Sequence, residues 1–398
     1  MFGPARDKNS TTDDVSKTVV KSYSLQDGLA IHCTNAGEAG LFVSVIVTDA
    51  RLAESERLLR RLYEAVAKIL IENAVELVHE RVFASKSSTT LLLSSRLDVF
   101  NTAGLDPNTP LSLIQVSPCF GNGVAGLLFH AVSAESGIET LRNEVEKPIG
   151  RRWSTSFADY LVLQPVCKTA LPVEMQIADF FERTAFLLNQ QGFSFIDVAR
   201  TWFYINNILK NYHIFNRVRD QKFAEFGLTQ NTPPKFPAST GIAGAAVNGS
   251  SMVADLLAVK PKLNKIKFLS NPQQKEAFEY GAAFSRAALI QEQAVDFIQV
   301  SGTASIGEDG KTLYPYDGTS QIACALDKFE ALLETANASF DHVATASIFV
   351  KTPALFETFK RIGKTRGITN FPGVPVLADV CREDLLFEID AEVILPKR

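Results

Sequence analysis

Leu326-Asp-Lys-Phe-Glu-Ala-Leu-Leu-Glu-Thr-Ala-Asn337, followed by Ala338-Ser-Phe-Asp-His-Val-Ala-Thr-Ala-Ser-Ile-Phe-Val350, is the stretch on which the fold class turns. Its first half repeats apolar residues at helical spacing, and its second half becomes a β-branched and aromatic run, so the pattern predicts a helix feeding a strand. The same design stands earlier, in Phe181 to Gly192 followed by Phe193 to Ile205. An offset of 145 carries Leu187, Leu188, Ser194, Phe195, Val198 and Ala199 onto Leu332, Leu333, Ser339, Phe340, Val343 and Ala344. Six identities without a gap point to an internal duplication. A third amphipathic helix is expected over Ser55 to Leu70, in a first half whose surroundings align poorly with the repeats.

Between the two repeats, Asn231-Thr-Pro-Pro-Lys-Phe-Pro237 interrupts regular structure, because consecutive prolines remove backbone donors and restrict their neighbours. A domain boundary is expected there. The expected organisation is a flexible tail over 1–24, an N-terminal domain over 25–235 and a C-terminal domain with the active site over 236–398. Strands are expected over Ser251 to Val259, Phe297 to Thr303, Ala344 to Val350 and Phe387 to Leu395, grouped around the final helix. The class is α+β, with mixed sheets and helices packed on one face.

Composition narrows the function. Of the 398 residues, 46% are hydrophobic and 21% charged, which is ordinary globular usage. Forty Lys and Arg against 44 Asp and Glu give a formal charge of −4, which does not favour nucleic acid as a partner. No run approaches the roughly 18 apolar residues of a membrane span, and residues 1–24 hold no apolar signal core, so a cytoplasmic protein is expected. Cys33, Cys119, Cys167, Cys324 and Cys381 are widely spaced and include no CxxC pair, so neither a disulfide framework nor a zinc site is expected. His32, His79, His130, His213 and His342 are isolated from second ligands. The chain contains no phosphate-cradling, dinucleotide, zinc-protease or nucleophile-elbow motif. No metal or cofactor is expected.

Val300-Ser-Gly-Thr-Ala-Ser-Ile-Gly307, Gln321 and Val380-Cys-Arg-Glu-Asp-Leu-Leu-Phe-Glu-Ile-Asp390 resemble the RidA/YjgF (chorismate-mutase-like) fold and, within that superfamily, the chorismatases. Arg200-Thr-Trp-Phe-Tyr204 is similar to a chorismatase strand, and Tyr212, Phe215, Asn216 and Arg219 to a helix start. Pro237 to Ile242 resembles a turn, and Phe284-Ser-Arg-Ala287 a strand. These blocks run in the family's order from about residue 178 to the C-terminus. The resemblance implies two RidA-like domains, a homo-oligomer in the form of a trimer, and a small-molecule substrate, chorismate or a similar dicarboxylate. RidA deaminases hold a substrate carboxylate with an arginine fifteen residues before the strand glutamate; here that position is Gly373, which speaks against imine deamination. Gln274, Gly302 and Cys381 agree with the 3-hydroxybenzoate-forming branch. The family's loop between Asn271-Pro272 and Phe284 is shortened, and of it Tyr280-Gly281 survives.

The resemblance makes Glu388 the general acid that protonates an enolpyruvyl ether, with Cys381 assisting. A glutamate serves as an acid at neutral pH when burial raises its pKa above the usual value of about 4.3. Glu388 stands in the apolar run Leu385 to Ile389, where it faces either a desolvating pocket or solvent. Arg200, Arg219 and Arg286 are the candidate carboxylate holders, because a guanidinium fork binds an anion bidentately. Tyr212, Tyr280, Gly302 and Gln274 complete the expected substrate site. A 4-hydroxybenzoate-forming variant and a catalytically silent carboxylate-binding protein are the alternatives.

Overall fold

The computed structural model describes residues 19–49, 53–165, 167–229 and 236–397, apart from the side chain of Tyr280. Three successive units share one plan. The first contains β1 (Val20–Gln26), β2 (Leu29–Asn35), β3 (Leu41–Val47), α1 (Glu56–Glu72), β4 (Val75–Ala84), α2 (Thr89–Ala103), β5 (Ser112–Gln115), the short β6 (Ser117–Pro118) and β7 (Val124–Ser133). The second contains β8 (Glu139–Arg142), β9 (Pro148–Ser154), β10 (Ala158–Leu163), α3 (Val173–Gln190), β11 (Val198–Ile205), α4 (Ile208–Glu225), β12 (Ala238–Ala243), the short β13 (Ala245–Ala246) and β14 (Met252–Pro261). The third contains β15 (Lys267–Leu269), β16 (Ala287–Gln291), β17 (Val295–Ala304), α5 (Gly318–Glu334), β18 (Val343–Val350), α6 (Pro353–Thr365), β19 (Gly373–Leu377) and β20 (Phe387–Pro396).

Each sheet has the same spatial order, three meandering strands followed by the last strand and then two parallel strands: β1-β2-β3-β7-β4-β5, β8-β9-β10-β14-β11-β12 and β15-β16-β17-β20-β18-β19. The short strands join units, β13 extending the first sheet and β6 the third. The α+β class holds. The sequence led to two domains, whereas the structure has three sheets. The chosen boundary fell largely on 231–235, outside the described residues, and a cut at 236 would part β12 and β14 from β11, their hydrogen-bonded neighbour. Residues 20–24, assigned to a tail, belong to β1, which pairs with β2 along its whole length.

Burial explains the pattern that the sequence showed. On α1, Leu58, Leu59, Leu62, Tyr63, Val66, Ala67 and Leu70 form one buried face, and the Ser55 hydroxyl accepts from the Leu58 amide at 3.2 Å, capping the first turn. Strands β11 and β18 are buried at every position, because helices cover one face and the other two units cover the opposite face. The 145-residue offset is a real structural repeat. The one-turn helices before β11 and β18 carry matched caps, with Asp197 accepting from the Ser194 amide at 2.8 Å and His342 accepting from the Ser339 amide at 3.1 Å.

Three outer cores lie between each sheet and its helices. A fourth core sits where the three sheets face one another and draws Phe42, Trp153, Trp202, Tyr204, Phe297 and Phe349 from all three units. It also buries ion pairs. Arg81 lies 3.5 Å from Glu392 and over the Trp202 ring, and Thr345 donates to Glu392 at 2.6 Å. Buried charges persist where their partners are buried with them.

Candidate active site

A bulge in β17 between Val300 and Thr303 re-aims Ser301 and Gly302 against β20, where Ala304 pairs with Glu388. The strand alternation sends Phe387 and Ile389 into the outer core of the third unit, so Glu388 points the other way, towards the second unit. It is 6% exposed. Desolvation, reinforced by the nearby Asp390 carboxylate and opposed by Arg200, pushes its carboxyl up to about 8. Gly302 is the close neighbour: a Cβ there would stand 2.8 Å from the Glu388 carboxyl carbon. Only a residue without a side chain leaves that space to the acid.

The second unit supplies the opposite wall through α4 and β12. Tyr212 lies over β12, its ring edge 3.5 Å from where a Gly241 Cβ would be, and it packs with Cys381 against the core of the second unit. Burial and the neighbouring Glu388 push the Cys381 thiol up to about 12, so it stays protonated at neutral pH. Burial, followed by the Cys381 and Glu388 charges, also raises the Tyr212 phenol. Arg219 is 2% exposed, donates to Asn216 at 2.9 Å and stacks over Phe215; its Nε lacks a hydrogen-bond partner and sits 3.9 Å from Asp220. Burial lowers its pKa, with Tyr212, Asp220 and Cys381 opposing.

The structure thus brings together Glu388, Cys381, Gly302, Tyr212 and Arg219 at the seam between the second and third units. Arg200 stands behind them. It is fully buried, and its Nη2 donates to Asp390 at 3.0 Å and to Thr240 at 2.6 Å, while its Nε and Nη1 make no hydrogen bond to protein. Arg286 enters from the chain before β16, its guanidinium donating to the Lys275 carbonyl and its own carbonyl accepting from the Ser301 amide at 3.0 Å. Gln274 is buried in a turn with Asn271, whose side-chain amide donates to Gln274 at 3.2 Å and to the Lys328 carbonyl at 2.7 Å. Gln274 and Arg286 therefore frame the shortened loop beside the site. The Tyr280 side chain falls outside the described residues. Pro237 to Ile242, expected as a turn, forms most of strand β12.

Sequence reading missed Asp390 and Thr240. Thr240 donates to Asp390 at 2.8 Å, and the Ser347 amide donates to it at 3.2 Å, so this carboxylate is held in place by three groups. The available signal was the two-residue spacing of Glu388 and Asp390 on one strand, which places both carboxyls on the same face. Among the described residues no cluster of three or more His, Cys, Asp or Glu side chains is placed to hold a metal ion, and no helix is long and apolar enough to cross a membrane.

Three sheets backed by helices, with a buried acid at a seam between units, give the chain the fold of a solved chorismatase. In sequence the chain is similar to two curated proteins. It is 28% identical over 235 residues to a 3-hydroxybenzoate synthase from Streptomyces hygroscopicus, a match covering 52% of this chain and 66% of that protein. It is 27% identical over 225 residues to a chorismatase of the same organism, covering 49% of this chain and 61% of the relative. Both matches span less than two thirds of the relatives' length. A solved chorismatase superposes with a TM-score of 0.60 at 18% identity, over 80% of this chain and 92% of that one, which shows the fold. No protein-family model matches the chain.

Proposed function

We propose that the chain cleaves chorismate, releasing pyruvate, with Glu388 as the general acid. The observation that carries this reading is the burial of Glu388 at the seam, in the space that Gly302 leaves to it: desolvation there pushes its carboxyl up to about 8, the range in which an acid holds a proton at neutral pH and can deliver it. The proton goes to the vinyl methylene of the enolpyruvyl ether, leaving an oxocarbenium carbon. The neighbouring ring hydroxyl then attacks the ring carbon that bears the ether and gives up its proton as the C–O bond breaks and pyruvate leaves, forming an arene oxide. The oxide opens at its other carbon, its oxygen takes a proton, and loss of the hydrogen from the carbon that keeps the oxygen restores aromaticity. The products together contain the atoms of chorismate, with no net water consumed. Arg219 offers a guanidinium for a substrate carboxylate, and Cys381 with Tyr212 offers neutral hydrogen-bond donors beside the acid.

The finer assignment is 3-hydroxybenzoate as the aromatic product. The relative named 3-hydroxybenzoate synthase supports it. The test is to incubate purified protein with chorismate, follow pyruvate by a coupled assay and resolve the aromatic products by chromatography. Equal amounts of pyruvate and 3-hydroxybenzoate are expected. Pyruvate with a dihydrodiol or with 4-hydroxybenzoate would keep the cleavage and overturn the product. No pyruvate from folded protein would overturn both.

A further inference from the structure

The repeat that builds the seam at Glu388 builds a second seam between the third and first units, and its contents can be matched position by position. In the sheet register, Glu388 faces Phe349 on the neighbouring strand, and its counterpart in the first unit, Gly126, faces Phe83. Counting back along the same last strands, the position of Cys381 falls on Cys119, which is likewise buried. The 145-residue offset that maps the second unit onto the third carries Tyr212 onto Glu357 and Arg219 onto Lys364. The contacts follow the mapping. Gly126 meets Val374 on β19, as Glu388's strand meets β12 through Asp390 and Thr240.

This second seam is open. A cavity of about 410 Å³ lies between strands β1 to β3 of the first unit and α6 and β19 of the third, lined by Ile46, the register partner of Gly126, and is within the range of small-ligand sites. Phe120, Phe356, Phe359 and Phe371 supply aromatic walls, and Lys360 and Lys364 stand at its edge, with no acidic side chain among the lining residues. Lys360 sits 5.3 Å from the Phe356 ring centre and 5.8 Å from that of Phe120, and also pairs with Glu357 at 2.7 Å. We infer that this cavity is a binding site for a small aromatic carboxylate, retaining a cation and aromatic surface where the first seam has Arg219 but having lost the acid. With glycine at the position of Glu388, it binds without protonating. A planar ring would stack between the phenylalanines, and its carboxylate would meet the lysine ammonium groups.

The test uses the full chain and 4-fluorobenzoate as probe, titrated by calorimetry and by fluorine NMR. Two binding events per chain are expected. The Lys360→Glu, Lys364→Glu double variant should weaken one of them at least tenfold and leave chorismate turnover unchanged, since neither lysine lies at the first seam. Arg219→Ala should weaken the other. A wild-type stoichiometry of one, removed by Arg219→Ala and untouched by the double variant, would overturn the inference, and so would two events both indifferent to the lysines. Survival of a lysine-dependent event in a protein that turns over no chorismate would leave the second site standing while the proposed activity fell.

Discussion

Glu388 and Gly126 hold the same place in two units built to one plan, yet their seams are chemically unlike. At the seam of the second and third units, Arg200 and Thr240 clamp Asp390, which faces Glu388's side of the sheet. The seam of the first and second units repeats that clamp with other residues: His79 lies 2.9 Å from Asp255, and Ser112 hydrogen-bonds to the same carboxylate. At the seam of the third and first units the equivalent positions are Val374 and Leu128, and the clamp is gone. A buried carboxylate is costly alone, so it appears with its hydrogen-bond partners or not at all. The clamp stands at two seams and the acid at one of them, since the position of Glu388 beside Asp255 is Val253, which separates the structural role of the clamp from its electrostatic one.

The largest effect expected is that of Glu388→Gln, which keeps the shape and removes the proton: pyruvate release should fall by on the order of 10²–10⁴-fold with the circular dichroism spectrum unchanged. Turnover that survives the substitution would break the distinction between the two seams. Next comes Gly302→Ala. Its methyl would collide with the Glu388 carboxyl, so activity should drop about tenfold or more, with a stability cost of about 1–3 kcal/mol by denaturant titration. Were activity intact, the bulge would not be reserving space for the acid.

Asp390→Asn sharpens the electrostatic part. Removing that carboxylate should lower the Glu388 pKa, moving the alkaline limb of the pH–rate profile to lower pH, and should destabilise the fold by about 3–5 kcal/mol because Arg200 is left buried without its counter-ion. An unmoved limb would deny Asp390 any part in setting the acid. The smallest effect distinguishes the seams directly. Thr240→Val should cost about 1–3 kcal/mol by leaving Asp390 short of a donor. Val374→Thr, at the matching place, should cost about 1–2 kcal/mol through an unpaired hydroxyl and should leave turnover untouched.

The readable parts of the sequence were those in which one element speaks for itself. The helix-to-strand runs ending at Ile205 and Val350, and the strand holding Glu388, matched the structure because apolar periodicity and burial coincide there. The first unit was obscure for a physical reason. Its sheet repeats the plan with different side chains, Gly126 for Glu388 and His79 for Arg200, so only register reveals the kinship. The third sheet is not legible because β12 and β14 follow the prolines, which read as a boundary, although they pair back to β11. At the site, the residues that touch Glu388 in the structure include Gly302, which was named, while the Asp390 clamp was not, since a partner chosen by two units meeting leaves no spacing in the chain.

The protonation state of Glu388 is the hinge of this account. Folding raises its pKa from 4.5 to about 8, so the native state keeps a proton that the unfolded chain loses, and stability should decline as pH rises through that window, a decline absent from Glu388→Gln. The direct measurement is the carboxyl stretch in the infrared difference spectrum between wild type and Glu388→Gln, followed from pH 4 to 10. A protonated-carboxyl band that persists at pH 7 and disappears near pH 8 is predicted. A band already lost near pH 4.5 would contradict the assignment of Glu388 as the acid.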